Sequence, residues 1–310
     1  MTVNGSAGGR LGSDRSGSVV ERAIAKAGMI SGHEPARPQP QGPPRGQRAQ
    51  EARPLPRLQI DPAVLARAGI FTPDSTVNRT TEEFRLIKRA VLERAGQARV
   101  DGAANAHLVM VTSTREGEGK TFVALNLAFS LAAEKDRSVI LIDADPAKAS
   151  VARYLGLQAD PGLTDLLRDD QADAADAVRA TSIHGLSVVA PGDHDPLAAE
   201  LFASDRMGAL LQGFCRAAPD SIVILDAPPV LATSEPSSLA RHVDQTIVVV
   251  EADRTSRAAI TEALNLIAIC PHIGMVLNKA RFRFGTVRFG AYYKSYYKPG
   301  KRSAAARGRG

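Results

Sequence analysis

The fold is decided by the stretch His107-Leu-Val-Met-Val-Thr-Ser-Thr-Arg-Glu-Gly-Glu-Gly-Lys-Thr121. An apolar, β-branched run leads into a glycine-containing loop, and a helical pattern follows from Phe122 to Glu134. A buried strand, a loop ending in Gly-Lys-Thr and a helix occur in this order in phosphate-binding loops. The sequence therefore predicts a site for the phosphates of a nucleotide.

Each loop position has a chemical reason. Glycines at 117 and 119 let backbone N–H groups approach phosphate oxygens, Lys120 meets the outer phosphates and Thr121 offers its hydroxyl to Mg²⁺. The partial positive charge at the start of the next helix favours the same anion. Thr114 stands where such loops usually have their first glycine. A surface turn is the competing interpretation, which the flanking strand and helix disfavour.

Strand-like runs alternate with helix-length segments between residues 107 and 280. The predicted strands are Leu108–Ser113, Val139–Asp143, Leu186–Ala190, Ile222–Leu225, Thr246–Glu251 and Met275–Leu277. Continuous apolar strands separated by helices are typical of parallel sheets covered on both faces. The expected fold class is α/β, with a doubly wound, mainly parallel sheet.

Aspartates follow two of these strands. Asp143 and Asp145 end the second strand, and Asp226 ends the run from Ile222. Ligands of open α/β sheets bind at the carboxyl ends of the strands. Carboxylates near Lys120 could hold Mg²⁺ directly or through water, and one could accept a proton. Alternatively, these aspartates only cap the next helices.

Composition and charge suggest four regions. Residues 1–58 carry +5 and seven prolines between positions 35 and 56, and are predicted to be disordered. Residues 59–104 are expected to form a lead-in that is helical over residues 60–97. Its strongest helical pattern runs from Thr80 to Ala95 and opens with a threonine cap. Residues 105–280 would form the nucleotide domain, and residues 281–310, at +9 without acids, a basic tyrosine-rich tail.

The same data bound the class of protein. The net charge of +6 leaves −8 for residues 59–280, so specific nucleic-acid binding is not expected of the fold itself. No apolar run approaches the roughly 20 residues that span a bilayer, and no signal pattern opens the chain. A cytoplasmic protein is expected.

Several motifs together resemble one family. Besides the loop and the two aspartate-ending strands, they are Glu82-Glu-Phe-Arg85-Leu-Ile-Lys88, Pro161-Gly-Leu-Thr-Asp-Leu-Leu167, and Val189-Ala-Pro-Gly192 followed by Pro196 and Glu200-Leu201. The chain is similar to the MinD/ParA-type branch of P-loop proteins. Within that branch it resembles the bacterial tyrosine kinases of capsule and exopolysaccharide synthesis, especially the stand-alone cytoplasmic autokinases.

This resemblance implies roles for named residues. Lys120 would contact the β- and γ-phosphates, Thr121, Asp145 and Asp226 would lie on the Mg²⁺ side, and Asp143 would be the base for the incoming tyrosine. The residues implied to bind ATP are Glu116, Gly117, Glu118, Gly119, Lys120, Thr121, Phe122 and Asn278. The family's assembly motif, Glu-x-x-Arg-x-x-Arg, falls on Glu82, Arg85 and Lys88 and implies a homo-oligomer, such as a ring.

Three positions depart from the family pattern. Lys88 replaces an arginine and cannot make the bidentate fork of a guanidinium to a carboxylate. Lys148 replaces the usual arginine after the Asp-x-Asp strand, and Glu116 a frequent proline. Arg115 stands where partition and septum ATPases carry a signature lysine, so an ATPase switch without kinase activity remains the alternative function.

The tail would supply the acceptors. Four of the five tyrosines are Tyr292, Tyr293, Tyr296 and Tyr297. The family implies autophosphorylation there, and regulation of exopolysaccharide polymerisation or export. Implied partners are the cytoplasmic segment of a membrane chain-length regulator, which would recruit the chain to the inner face of the plasma membrane, and a tyrosine phosphatase. A basic, aromatic patch for membrane or nucleic-acid contact is the other interpretation of this tail, and a non-catalytic adaptor is a further rival.

Overall fold

A computed structural model describes residues 57–280 apart from positions 104, 158–160, 173 and 218–219. The strands are β1 (Leu108–Ser113), β2 (Ser138–Asp143), β3 (Val178–Ala180), β4 (Leu186–Val189), β5 (Ser221–Asp226), β6 (Gln245–Glu251) and β7 (His272–Asn278). The regions 1–56 and 281–310, with the four tail tyrosines, lie outside the described residues.

Ten helices connect and cover these strands in the described part of the chain. They are α1 (Pro62–Arg67), α2 (Arg79–Val100), α3 (Lys120–Ala132), α4 (Ser150–Leu155), α5 (Leu163–Arg168), α6 (Ala174–Ala177), α7 (Ala198–Ala203), α8 (Asp205–Ala217), α9 (Glu235–Leu239) and α10 (Arg257–Leu266). None of them is long and apolar enough to cross a bilayer.

The strands form one sheet in the order β3-β4-β2-β5-β1-β6-β7. All neighbouring pairs are parallel except β3 with β4. The predicted doubly wound, mainly parallel α/β fold is confirmed. Strand β3 was not predicted, because three residues are too few to show a periodic pattern.

Alternating residues of the central strands feed two separate cores. Met110 and Ile140 belong to the core beneath α5, α8 and α10, whereas Val109 and Leu141 belong to the core beneath α2 and α3. A strand buried on both faces needs apolar residues at every position, which explains the unbroken apolar runs.

The lead-in differs from its prediction. The expected helix over 60–97 is interrupted, because α1 ends at Arg67 and the chain is not helical again until Arg79. The N-cap of α2 is Asn78, not a threonine. Its side chain accepts a hydrogen bond from the backbone N–H of Thr81, while the Thr81 hydroxyl accepts one from that of Asn78. This reciprocal capping box leaves Thr80 inside the first turn.

Candidate active site

The phosphate loop joins β1 to α3 at the carboxyl edge of the sheet. Gly119, directly before the first helical residue Lys120, has a φ of 101°. A Cβ at this glycine would lie 2.2 Å from Nδ2 of Asn278. Both the left-handed backbone and the close approach of a side chain therefore require glycine here.

Lys120 is buried between two of the predicted carboxylates. Its Nζ lies 2.7 Å from Oδ2 of Asp145 and 3.7 Å from Oδ1 of Asp226. Burial alone would lower the pKa of Lys120, but the negative charges of Asp226 and Asp145 outweigh it and raise that pKa. Lys120 is consequently a fixed positive charge in the loop.

Strand register brings the aspartates together. Asp143 and Asp226 are directly paired residues on β2 and β5, and the hydroxyl of Thr121 donates a 2.6 Å hydrogen bond to Oδ2 of Asp226. Asp143 accepts hydrogen bonds from the backbone N–H groups of Asp145 and Ala152, at 3.2 and 3.1 Å.

Burial changes the protonation of this pair. It raises the pKa of Asp143 to about 7, with a further contribution from the Asp226 carboxylate. Burial also raises the pKa of Asp226, although Lys120 and Thr121 oppose the shift. A carboxyl group that titrates near neutrality suits proton transfer.

The cluster fits a polar ligand. Three of its side-chain atoms are buried without a hydrogen bond, namely Nζ of Lys120, Oδ2 of Asp145 and Oδ1 of Asp226, as is Oγ1 of the loop residue Thr114. Lys120 and Asp145 nevertheless attract each other as an ion pair at 2.7 Å. Unsatisfied buried polar atoms are costly, so a phosphate chain and a cation are suitable occupants.

The structure describes no ready-made cluster of three or more His, Cys, Asp or Glu with metal-site geometry between residues 57 and 280, outside the short gaps. Thr121, Asp145 and Asp226 nevertheless lie close together, because Thr121 contacts Asp226 and Lys120 contacts both aspartates. Any Mg²⁺ would take its remaining ligands from phosphate oxygens or water, which is common for this ion.

Two departures from the family pattern contact each other. Lys148, after β2, forms an ion pair with Glu116 of the phosphate loop. The hydrogen bond and the positive charge of Lys148 hold the pKa of the Glu116 carboxyl below its usual value. The side chain of Glu116 is thereby placed against Lys148, although it is largely exposed.

The other predicted nucleotide residues face the protein with their side chains. The ring of Phe122 packs against Phe84, with centroids 6.0 Å apart. The Glu118 carboxylate accepts hydrogen bonds from the Arg115 backbone N–H and the Thr255 hydroxyl, at 2.8 and 2.5 Å. The side chain of Asn278 donates to the carbonyl of Glu118 at 2.8 Å.

Sequence reasoning missed two of the residues around the loop. Thr255 lies just after β6, and Lys279 just after β7; Nζ of Lys279 donates to the Gly117 carbonyl at 2.7 Å. Both lie more than 130 positions from the loop in sequence. The sequence offers one indication that Lys279 lies near the site, namely its position at the end of a predicted strand, next to Asn278.

The residues of the predicted assembly motif lie along α2. Glu82 and Arg85 pair with each other, and the Arg85 side chain is half exposed. Lys88 pairs within the chain with Glu134, which lies just beyond α3, and its side chain is only 16% exposed. The three residues therefore do not present equivalent charges at the surface.

The fold and this site together define a P-loop nucleotide-binding protein. The family model for the CobQ/CobB/MinD/ParA nucleotide-binding domain matches residues 109–296. The Bacillus subtilis tyrosine-protein kinase YwqD is 33% identical over 172 residues, covering 55% of this chain and 71% of YwqD.

Two further comparisons agree. EpsB of Ralstonia nicotianae is 34% identical over 210 residues, covering 64% of this chain but 27% of EpsB. The chain thus spans about a quarter of EpsB. The solved BceF tyrosine kinase domain superposes with a TM-score of 0.56 at 27% identity, covering 69% of this chain and 86% of that domain. The chain belongs to the CobQ/CobB/MinD/ParA nucleotide-binding family and, within it, to the bacterial tyrosine kinases.

Proposed function

We propose that this chain is an ATP- and Mg²⁺-dependent protein-tyrosine autokinase. It phosphorylates Tyr292, Tyr293, Tyr296 and Tyr297 of a neighbouring copy and thereby regulates exopolysaccharide biosynthesis or export. The observation that carries the proposal is the contact of Lys120 and Thr121 with Asp145 and Asp226, in a chain similar to named tyrosine kinases.

The loop residues position the phosphates. Backbone N–H groups of residues 117–121 and the ammonium of Lys120 bind phosphate oxygens, and the start of α3 adds its partial positive charge. Thr121, Asp145 and Asp226 would hold Mg²⁺, which would neutralise phosphate charge when bound. Phosphoryl transfer depends mainly on such positioning and charge stabilisation.

Asp143 receives the proton. The tyrosine oxygen attacks the γ-phosphorus, the bond to the bridging oxygen of the β-phosphate breaks, and ADP leaves with that electron pair. The phenolic proton passes to Asp143, whose raised pKa of about 7 makes it a better base than an ordinary aspartate. The N–H groups of Asp145 and Ala152 orient this carboxylate.

Assembly and location are further parts of the proposal. Half-exposed Arg85 on α2, paired with the partly buried Glu82, contributes to a homo-oligomer that brings one copy's tail to the next copy's site. A cytoplasmic segment of a membrane chain-length regulator activates the kinase and recruits it to the inner face of the membrane, and a tyrosine phosphatase reverses the reaction. The family resemblance supports these partners.

Mixing two variants, neither of which can label itself, tests both the chemistry and its direction. Lys120→Met keeps acceptors but loses a phosphate contact, whereas the variant with Phe at 292, 293, 296 and 297 keeps the site but loses acceptors. With labelled ATP and Mg²⁺, we expect label on Lys120→Met protein only in the mixture.

The rivals predict other results. ATP hydrolysis by the wild-type protein without any phosphotyrosine, with and without a regulator segment, would identify the ATPase switch. Partner binding that is unaffected by Lys120→Met, together with no turnover of ATP, would identify the adaptor. If the wild-type protein is labelled but Lys120→Met protein in the mixture never is, each copy would phosphorylate only its own tail.

A further inference from the structure

Hydrogen bonds around the outside of the phosphate loop form a closed circuit. Lys279 donates from one Nζ to the carbonyl of Gly117, at 2.7 Å, and to Oε2 of Glu251, at 3.0 Å. The backbone N–H of Glu251 donates to the hydroxyl of Thr255, at 3.0 Å. That hydroxyl donates to the Glu118 carboxylate, which returns the circuit to the loop.

The hydrogen bonds of this circuit involve loop oxygens, which cannot donate to a phosphate. A phosphate-binding loop directs N–H groups at the anion, so the carbonyls of Gly117 and Glu118 require other partners. Lys279 and Asn278 supply them. The Glu118 carboxylate, 3% exposed, would repel phosphate if it turned inward, and Arg115 and Thr255 hold it in place.

Lys279 also has a backbone conformation that is unusual for its type. Its φ is 57°, in the left-handed region. Such a conformation costs about 1 kcal/mol for a residue with a side chain. It persists where surrounding contacts determine it, and clusters at functional sites.

We propose that Lys279 and Thr255 are positioning residues that hold the phosphate loop in its binding shape before nucleotide arrives. They act through Gly117 and Glu118. The inference rests on the proposed function only in assuming that this loop binds a nucleotide.

Two substitutions separate the side chains from the backbone. Lys279→Gly removes the ammonium while suiting the left-handed φ, and Thr255→Val removes the hydroxyl with little change of shape. Matched controls are Lys135→Met, at an exposed lysine, and Thr261→Val, whose hydroxyl bonds only within its own helix. Lys279→Arg tests whether another cationic donor can replace the ammonium.

The readouts are ADP binding by calorimetry and backbone amide exchange, in the nucleotide-free protein, of Arg115 and Val123, whose N–H groups donate to the Glu118 carboxylate and the Gly119 carbonyl. Lys279→Gly and Thr255→Val should each weaken ADP binding by about tenfold, and exchange at Arg115 and Val123 should become faster. Lys279→Arg should bind within about threefold of wild type, because it keeps the charge. Both controls should match wild type, and all variants should unfold near the wild-type temperature.

Each other outcome has a definite meaning. If the wild-type protein binds ADP and both Lys279→Gly and Thr255→Val bind it with the same affinity, this inference is overturned and the proposed function stands. Weakened binding without faster exchange at Arg115 and Val123 also overturns it, since Lys279 and Thr255 would then not shape the loop. A wild-type protein that binds no nucleotide overturns the proposed function itself.

Discussion

The hydroxyl of Thr121 donates a 2.6 Å hydrogen bond to Oδ2 of Asp226, which joins the first turn of α3 to the end of β5. The two residues are 105 positions apart. Because β5 lies beside β1 in the sheet, the loop that follows β1 and the carboxylate that ends β5 meet at one edge. The chemistry proposed for the site depends on this adjacency.

Asp226→Asn should therefore abolish phosphotransfer. The substitution removes a negative charge from the contacts with Thr121 and Lys120, and an amide is a much weaker partner for Mg²⁺. We expect the rate of tail labelling to fall by at least about 100-fold. Asp193→Asn, at an exposed aspartate, is the control and should label at the wild-type rate. Normal labelling by Asp226→Asn would remove Asp226 from the mechanism.

The stability of the nucleotide-free protein should depend on pH through Asp143. Its pKa rises from an ordinary 3.8 to about 7 in the folded chain, so the folded state keeps a proton that the unfolded state releases. The stabilisation is complete below the unfolded pKa of 3.8 and is lost as pH rises to 7, by up to about 4 kcal/mol.

Asp143→Asn provides the comparison, because asparagine does not titrate. The unfolding free energy of wild type relative to this variant should fall between about pH 4 and pH 7 and level off above. Chemical denaturation at several pH values measures it. A difference that stays constant over this range would contradict the raised pKa.

Much of this site could be expected from local sequence, and some of it could not. Buried runs fix the strands, and the carboxyl end of each parallel strand reaches one edge, which brings Asp143, Asp145 and Asp226 to Lys120. The direction of individual side chains is set by tertiary neighbours. Glu118 faces Thr255, and Phe122 faces Phe84, because partners distant in sequence lie there. The pair of Lys148 with Glu116 likewise appears only once β2 and the loop are placed together.

Of the two basic residues in the assembly motif, only Arg85 should contribute to contacts between copies, whereas Lys88 should act within its own chain. Arg85 is half exposed, whereas Lys88 already pairs with Glu134 of its own chain. Arg85→Ala should therefore shift a homo-oligomer toward monomer in analytical ultracentrifugation. Lys88→Ala should leave assembly nearly unchanged and lower the unfolding free energy by about 1 kcal/mol or less. Equal loss of assembly in both variants would show that Lys88 leaves Glu134 to contact a neighbouring copy.

Two glycine-to-alanine substitutions should have opposite effects on stability. Gly119 has a φ of 101°, and a Cβ there would lie 2.2 Å from the side chain of Asn278. Gly119→Ala should therefore destabilise the fold and eliminate nucleotide binding, since alanine is strained at this φ and the Asn278 side chain would have to give up its hydrogen bond to the Glu118 carbonyl. Gly96 lies inside α2 with nothing within 4 Å of an added Cβ. Gly96→Ala should stabilise the chain by about 0.5–1 kcal/mol through helix propensity and leave ADP affinity unchanged. Thermal unfolding and calorimetry on both variants check the pair, and a Gly119→Ala protein with wild-type affinity would mean that the loop does not bind phosphate in the conformation described.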